Sequence, residues 1–496
     1  MTNQSERAIR SILVLGGGIV ALSAAAVFAR ALRGVRVELI ETAPDRAALA
    51  DRLAGTLPTV HRFHSAVGLD EGDLVRRGIA THRLGSRLDH WSADGEPWYH
   101  VFGDHGLPVG AVAFVDLWTR ARREKRALPY HRYSAAAAMA EAGRFVHPSG
   151  DSQSRLSSFV YGLFLEMEGY RDRLRAAADA AGVIRRPGRL DGVDRREDGF
   201  VASLSLAGGE TVEADLFVDA SGPSAPLIRA VGAAFEDWSA WLPCDRVVLE
   251  RRRNPGGPLP LDRVRAEANG WRWSAPLGGR SEEGRVFSSA FEKAGGAGDA
   301  VRIRPGRYLE PWTRNVLALG DAAAALDPLH ACGLHLAHSA ILRAVELLPG
   351  RDCHPVELAE YNRRTVEETM RVRDFQAIHY LRPGRGDGMW RALAERPLPD
   401  SLALTLQQFE ARGRIPFFEE ETFDKESWAQ ALIGLGLAPR RLNPLARAVD
   451  SDRAAAGMER LAAEIASLTG RIPSYRDYLV RMAALPAKPI SSRPGA

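Results

Sequence analysis

The chain has 496 residues, of which 45% are hydrophobic and 26% are charged, and this composition excludes disordered and collagen-like proteins. Its 66 basic and 62 acidic residues leave a net charge of only +4 and are spread along the sequence, so no nucleic-acid-binding surface is predicted. The length is about two to three times that of a usual domain, which predicts a large enzyme or a multi-domain protein.

Cysteine and lysine are both scarce in this chain. The cysteines are Cys244, Cys332 and Cys353. Three cysteines are too few for a disulfide framework, so we expect a reducing compartment and a cytoplasmic protein. Lysine occurs only at Lys125, Lys293, Lys425 and Lys488. Arginine therefore supplies nearly all of the positive charge, and the first 124 residues contain no primary amine on a side chain.

The first sixty residues predict a β-α-β unit. Residues 12–15 form a buried strand, a glycine turn and an alanine-rich helix follow, and residues 35–40 form a second strand that ends at Glu41. The apolar segment 12–32 is also similar to a secretory signal peptide. We favour strand, turn and helix, because three consecutive glycines would break a membrane helix.

Farther along, the chain alternates strands with helices and then becomes helical. A helix is predicted at 168–181, and strands are predicted at 200–206, 213–219, 285–291 and 315–319. The last of these strands runs into Gly320 and Asp321, and another helix is expected from Ala322 onward. The predicted fold class is α/β, a Rossmann-like FAD-binding fold with a mixed sheet and a helical C-terminal part. We expect a domain over 1–350, a helical domain over 351–486 and a frayed tail over 487–496.

The glycine turn predicts a dinucleotide site. Gly16, Gly18 and Ala21 spell GxGxxA directly after a strand, with Gly17 inside the turn. Gly16 allows the tight turn, Gly18 lets the backbone approach a pyrophosphate, and Ala21 keeps helix and sheet close. Glu41 lies 23 residues after Gly18, where a carboxylate can accept hydrogen bonds from ribose hydroxyls.

A second site favours FAD over NAD. The sequence LALGD places Gly320 and Asp321 at the end of a strand, where the carboxylate can bond a ribityl hydroxyl. A helix N-cap is the structural alternative for this aspartate. The pairing of an N-terminal GxGxxA with a distant GD resembles the FAD-binding fold of flavoprotein monooxygenases. Gly434 and Gly436 lack the strand and acid of a second fingerprint.

A tryptophan motif makes the resemblance more specific. Trp271, Trp273 and Pro276 stand in WRWSAP, which is similar to the WxWxIP signature of the flavin-dependent halogenases, with Ala275 in place of isoleucine. Two aromatic residues packed in a core are the alternative explanation. Segments 81–91 and 321–337, the loop 55–58 and several C-terminal stretches also resemble the tryptophan-halogenase branch, so the resemblance spans nearly the whole chain.

The resemblance implies an activity and its partners. Reduced FAD, delivered by a separate reductase, reacts with dioxygen and halide to give hypohalous acid, which a lysine and a glutamate direct onto an electron-rich aromatic ring, often an indole. The substrate is a small molecule or a peptide-borne aromatic residue, and Trp271, Trp273 and Pro276 lie along the path between the two sites. No nucleic acid and no membrane is expected as a partner, and a homodimer is left open. Further cofactor contacts are implied for Leu190, Cys332, Gly333 and Leu336.

This sequence departs from the family at the reacting residues. Arg83 occupies the lysine position, and a guanidinium offers no free nitrogen lone pair. His330 occupies the glutamate position, Ala331 replaces the adjacent serine, and Ala54 replaces the glutamate of the loop that covers the flavin. Arg83 and His330 are the candidate catalytic residues, and their combination predicts a pocket with a net positive charge.

Three functions compete on these grounds. The favoured one is an FAD-dependent oxidoreductase that oxygenates an aromatic or indole-like substrate. The others are a divergent halogenase and a flavin-binding protein without turnover. No metal site is predicted: Cys332, His335 and His338 lie three apart on one helical face without a fourth ligand. His61 and His64 have no acidic neighbours in sequence.

Overall fold

The computed structural model describes residues 8–92, 95–292, 299–382, 385–386 and 388–484. The predicted tail 487–496 lies outside these ranges. The strands are β1 (Ser11–Leu15), β2 (Arg36–Glu41), β3 (Ala80–Arg83), β4 (Gly85–Asp89), β5 (Trp98–Val101), β6 (Gly162–Leu165), β7 (Ile184–Pro187), β8 (Leu190–Arg195), β9 (Val201–Leu206), β10 (Thr211–Glu213), β11 (Leu216–Asp219), β12 (Phe235–Asp237), β13 (Arg246–Arg253), β14 (Leu261–Glu267), β15 (Gly270–Pro276), β16 (Arg280–Phe287), β17 (Val301–Arg302), β18 (Gly306–Tyr308), β19 (Trp312–Thr313), β20 (Val316–Ala318) and β21 (Ala324–Ala325). The helices are α1 (Ile19–Ala31), α2 (Val60–Val67), α3 (Glu71–Arg76), α4 (Phe114–Arg123), α5 (Ala135–Glu141), α6 (Met167–Ala180), α7 (Pro226–Ala230), α8 (Gly333–Glu346), α9 (Pro355–Leu381), α10 (Gly388–Ala394), α11 (Asp400–Arg412), α12 (Lys425–Gly434), α13 (Pro444–Ala448), α14 (Ser451–Arg471) and α15 (Tyr475–Ala484).

A six-stranded sheet in the order β19-β20-β11-β1-β2-β7 forms the N-terminal layer. Strand β1 pairs in parallel with β11 and with β2, and β20 and β7 extend the sheet in the same direction. Alternate residues of β1 enter two different cores: Ile12 and Val14 pack with α1, whereas Leu13 and Leu15 pack with β9 and α7. The carboxyl ends of the parallel strands therefore meet at one edge of the sheet.

A seven-stranded sheet in the order β17-β13-β16-β15-β14-β4-β5 forms the second layer. Its pairs are antiparallel except for the parallel pair of β14 and β4. Its inward face shares one hydrophobic core with the C-terminal helices, since Trp271 of β15 belongs to the same cluster as Phe375 of α9 and Trp428 of α12.

The predicted β-α-β unit, the helix at 168–181 and the mixed α/β class with a helical C-terminal part are confirmed. The helix expected from Ala322 is wrong. Gly320 takes a left-handed conformation (φ +59°), the chain makes one 3₁₀ turn and pairs as β21 with β18, and α8 begins only at Gly333. The strand expected over 213–219 divides into β10 and β11, because the backbone bends at Asp215, whose carboxylate accepts hydrogen bonds from the amides of Arg10 and Ser11.

The three cysteines, Cys244, Cys332 and Cys353, are buried and reduced. Within the described ranges, no helix is both long enough and apolar enough to cross a lipid bilayer.

Candidate active site

The turn between β1 and α1 can be built only from glycine. A Cβ on Gly16 (φ +155°) would lie 2.2 Å from the carbonyl oxygen of Ala220, and one on Gly17 would lie 1.8 Å from the carbonyl oxygen of Thr42. Ala21 is fully buried beneath the turn. The backbone amides at the start of α1 therefore stand at the carboxyl edge of the sheet, and the glycine turn itself places no side chain over them.

A carboxylate from the chain lies on the amino end of α1. Asp51 Oδ1 accepts a hydrogen bond from the Val20 amide at 2.7 Å, and a Cβ on Gly18 would lie 1.8 Å from Asp51 Oδ2. Burial raises the pKa of Asp51 to about 6. A helix N-terminus favours an anion through its free amides and its dipole. Asp51 therefore marks the position that a cofactor phosphate would take.

Asp321 lies at the same edge of the sheet. Gly320 packs against Val20 of α1, and Asp321 Oδ2 accepts a hydrogen bond from the Ala50 amide at 2.9 Å. Burial raises the pKa of Asp321 to about 7. The glycine turn, the amino end of α1 and Asp321 lie at one edge of the sheet, and this arrangement fits a dinucleotide such as FAD.

The other predicted cofactor contacts divide into two groups. A Cβ on Gly333 would lie 3.4 Å from Ala50, so the start of α8, with Cys332 as its N-cap, contacts the same loop, and Leu336 is half-buried one turn later. Glu41 instead forms ion pairs with Arg175 and Arg185. Leu190 begins β8 in a separate three-stranded sheet and packs against the cluster that contains Ile40.

A small cavity of about 20 Å³ lies between the loop after Asp51 and the seven-stranded sheet, and it is large enough for one water molecule. Its lining includes Gly55, Asp262, Trp271, Trp273, Glu282, His330 and Ala331. The cavity therefore brings together the tryptophan motif, the loop next to the cofactor site and one of the two candidate catalytic residues.

The two tryptophans of the motif are buried, with ring centroids 5.5 Å apart. Trp271 Nε1 donates to Tyr380 Oη at 2.7 Å, and Trp273 Nε1 donates to Glu282 Oε1 at 3.2 Å. Gly284 lies opposite Trp273 on β16, where any side chain would collide with the indole. Both rings are thus fixed at the cavity wall, while Pro276 ends the strand beyond them.

Arg83 is buried in an ion pair. Its Nε donates to Asp262 Oδ1 at 3.2 Å, Nη1 donates to the Thr56 carbonyl at 2.9 Å, and Nη2 donates to Ser86 Oγ at 2.8 Å. The prediction of a positively charged pocket is wrong, because β14 supplies Asp262 and β16 supplies Glu282, whose pKa burial raises to about 7. The guanidinium acts here as half of a neutral pair.

His330 lies beside this pair in a strained conformation (φ +65°), and its ring contacts His379. His379 Nδ1 lies 2.9 Å from the Phe375 carbonyl oxygen, which can only accept a hydrogen bond. His379 Nδ1 therefore carries the hydrogen, and His379 Nε2 is an acceptor. His330 Nε2 lies 3.2 Å from that acceptor and must donate to it. His330 Nδ1 then holds a lone pair, and no described group hydrogen-bonds it.

The pKa of His330 lies well below its ordinary value. Burial is the main cause, and the neighbouring His379, His100 and Arg83 lower it further. The imidazole is therefore neutral near pH 7. The site therefore has a buried nitrogen with a free lone pair, although not at the position of the missing lysine.

Sequence reasoning missed Asp262, Glu282 and His379. Both carboxylates follow a signal that was available: Asp262 alternates with the inward residues Val264 and Ala266, and Glu282 alternates with Gly284 and Val286. An acid at an inward position of a strand is expected to have a buried partner. His379 carried no comparable signal, because α9 is buried on most of its faces.

The side chains of His335 and His338 do not point to a common site with Cys332. His335 bonds Thr59 Oγ1 at 2.7 Å and pairs with Glu368, whereas His338 stacks on Phe63 with ring centroids 3.5 Å apart. The two rings lie in separate packing environments.

An aromatic pocket of about 360 Å³ is separate from the cavity and is connected to His379 through one shared wall residue, Trp98. Its lining includes Trp98, Tyr99, Trp118, Tyr130 and His131. Trp98 also stacks on His379 with ring centroids 5.8 Å apart, and His379 in turn bonds His330. The volume lies within the range of small-molecule sites.

Known proteins resemble the chain over nearly its whole length. The sequence profile of the tryptophan halogenase family matches residues 11–451. Tryptophan 7-halogenase RebH from Lentzea aerocolonigenes is 26% identical over 492 aligned positions, which cover 88% of this chain and 91% of that protein.

Solved structures give the same result. BrvH, a flavin-dependent halogenase from Brevundimonas sp. BAL3, has a TM-score of 0.90 and 35% identity, covering 96% of this chain and 99% of its own. Xcc4156, a flavin-dependent halogenase from Xanthomonas campestris, has a TM-score of 0.90 and 29% identity, covering 97% and 100%. The chain therefore belongs to the tryptophan halogenase family, and it is a flavin-dependent enzyme.

Proposed function

We propose that the protein halogenates an electron-rich aromatic substrate and that His330 supplies the nitrogen that the missing lysine would supply in the family. The observation that carries this proposal is the neutral imidazole of His330, which lines the cavity and whose Nδ1 has no hydrogen-bond partner within the described structure. Reduced FAD from a separate reductase, together with dioxygen, would supply the oxidising equivalents that turn halide into hypohalous acid.

The proposed step at His330 is balanced in atoms and charge. The Nδ1 lone pair bonds the halogen of hypohalous acid, the oxygen–halogen bond breaks, and hydroxide leaves. The aromatic carbon then takes the halogen as the nitrogen–halogen bond breaks, and the ring proton leaves to convert hydroxide into water. A neutral imidazole can perform this exchange, whereas a guanidinium with no free lone pair cannot.

The aromatic pocket supports the substrate class. Its wall is formed by Trp98, Tyr99, Trp118 and Tyr130, which suit a flat, electron-rich ring such as an indole or a phenol. Trp98 lines the pocket and also stacks on His379. We propose that the substrate docks here and reaches His330 by displacing the Trp98 ring.

Halide-independent oxygenation is the second candidate. The engagement of Arg83 with Asp262, Thr56 and Ser86 favours it, because the residue at the lysine position is then a structural cation. In that case the cavity would exclude bulk water but would transfer no halogen. A flavin-binding protein without turnover would bind the cofactor and consume none.

The test supplies the purified protein with reduced FAD from an unrelated reductase, dioxygen, bromide and a panel of indoles and phenols, and follows product masses. We expect a bromine isotope doublet, and we expect His330→Gln to lower its yield at least about 100-fold without changing FAD binding. His338→Gln is the matched control, because it removes another buried imidazole from outside the cavity. A gain of one oxygen that needs no halide would replace the halogenase proposal with the oxygenase.

A further inference from the structure

A second cluster of histidines lies outside the cofactor site. His82 Nε2 and His147 Nε2 lie 3.2 Å and 3.3 Å from the same atom, Glu71 Oε1, and His61 Nδ1 lies 3.1 Å from Glu71 Oε2. His61, which has no acidic neighbour in sequence, thus gains one in the fold. The loop between α2 and α3 returns the chain so that Glu71, the first residue of α3, faces His61 on α2.

The spacing of the ligand atoms matches a tetrahedral ion. The donor atoms of Glu71, His82 and His147 all lie within 4.8 Å of one another. A zinc ion bound at about 2.0 to 2.1 Å places its ligand atoms about 3.3 Å apart. Two of the three edges, from Glu71 Oε1 to Nε2 of His82 and of His147, are 3.2 Å and 3.3 Å and have that length. Two histidines and one carboxylate are also a known zinc ligand set that leaves a fourth position for water.

The Glu71 carboxylate is the centre of this cluster. Besides His82 and His147 at Oε1, Tyr161 Oη lies 3.1 Å from Oε1 and 3.0 Å from Oε2. A carboxylate has about four lone-pair sites, so all of these groups can be bound to it at once. An ion between Oε1 and the two imidazoles would leave the Tyr161 hydroxyl to donate to Oε2.

Each imidazole has a tyrosine hydroxyl beside Nδ1, and its Nε2 faces Glu71. Tyr475 Oη lies 3.0 Å from His82 Nδ1, and Tyr478 Oη lies 2.7 Å from His147 Nδ1. Metal-bound histidines usually have such a hydrogen-bond partner on the second nitrogen, which sets the tautomer and the ring orientation. The site is open to solvent, since the His147 side chain is 41% exposed.

We propose that Glu71, His82 and His147 form a site for a divalent transition-metal ion of the Zn²⁺ type. The ligands come from α3, β3 and the segment after α5, and both tyrosines come from α15, so the ion would tie the C-terminal helix to the N-terminal half. His82 also precedes Arg83 on β3, so the ion would hold that strand from the side opposite the cavity.

The test uses the full-length, FAD-free protein after chelation and desalting, with Co²⁺ as the probe. We expect one equivalent of Co²⁺ with the visible absorption of a tetrahedral complex, displacement by Zn²⁺, and a rise in Tm with Zn²⁺. Glu71→Gln and His147→Gln should weaken Co²⁺ binding at least about 10-fold, and Tyr478→Phe, which keeps all three ligands, should weaken it by about 10-fold.

His354→Asn is the control, because it removes an exposed histidine elsewhere while asparagine keeps the N-cap of α9. The proposal is overturned if wild-type protein binds no more Co²⁺ than background. It is also overturned if Glu71→Gln and His147→Gln both bind Co²⁺ as the control does. Either result would leave a hydrogen-bonded cluster only. None of these measurements depends on halogenation or on bound flavin.

Discussion

At the scale of single residues, the active site contains a buried ion pair that has no net charge. Arg83 and Asp262 are buried with an Nε–Oδ1 distance of 3.2 Å, so each neutralises the other. Breaking such a pair by removing one partner costs about 3 to 5 kcal/mol, because the other charge is left buried. Removing both costs less.

We therefore predict strong coupling between these two positions. Arg83→Met and Asp262→Leu should each lower the free energy of unfolding by about 3 to 5 kcal/mol, and the double variant should be more stable than either single variant. Urea unfolding of the four proteins measures the coupling energy. Additive losses would show that the two charges are stabilised independently.

Glu282 makes stability depend on pH. Burial raises its pKa from 4.5 to about 7, so between these values the folded chain holds a proton that the unfolded chain has lost. Stability then falls as pH rises through this window. Glu282→Gln should gain up to about 3 kcal/mol relative to wild type between pH 4 and pH 8. The half-exposed Glu283→Gln is the control, and a difference that does not change with pH would refute the prediction.

At the scale of elements, a carboxylate of the chain itself lies at the amino end of α1. Asp51 accepts the Val20 amide and competes with any phosphate for the amino end of the helix. Asp51→Asn should bind FAD about 3- to 10-fold more tightly at pH 7.5, since a charge at a helix N-terminus contributes about 1 kcal/mol. Because the pKa of Asp51 is about 6, the advantage should shrink as pH falls below 6. Flavin fluorescence quenching measures both affinities.

Asp45→Asn is the control for this prediction. It removes a charge from the same loop, but the Asp45 carboxylate bonds the Ala47 amide and leaves the Val20 amide untouched. Equal effects of the two variants would mean that general charge, and not occupancy of the helix end, governs FAD affinity.

The sequence could predict elements whose signals are local. The unit from β1 to β2 follows from an apolar run, three glycines and one acid within about forty residues. The ion pair of Arg83 could not be predicted in that way, because it depends on β14 pairing in parallel with β4 so that Asp262 lies opposite Ser86. The parallel register of two segments whose paired residues are 176 apart cannot be read from either segment alone.

At the scale of the molecule, the helical C-terminal part is not independent of the sheet. The predicted boundary at residue 350 stays a prediction, but one core joins both sides of it, and Tyr380 of α9 accepts from Trp271 and donates to Asp327. We predict a single unfolding transition. Most buried tryptophans belong to this core whereas helices occur in every layer, so tryptophan fluorescence and circular dichroism should give the same midpoint.

The indole rings of Trp271 and Trp273 line the cavity where we place hypohalous acid. These rings are as reactive toward electrophiles as the substrates that we propose, so hypohalous acid can also halogenate the enzyme itself. Without substrate, turnover should consume the enzyme, and the peptide that contains both tryptophans should gain halogen mass. The number of catalytic cycles that one enzyme molecule completes then depends on how strongly the hydrogen bonds to Tyr380 and Glu282 hold those rings in place.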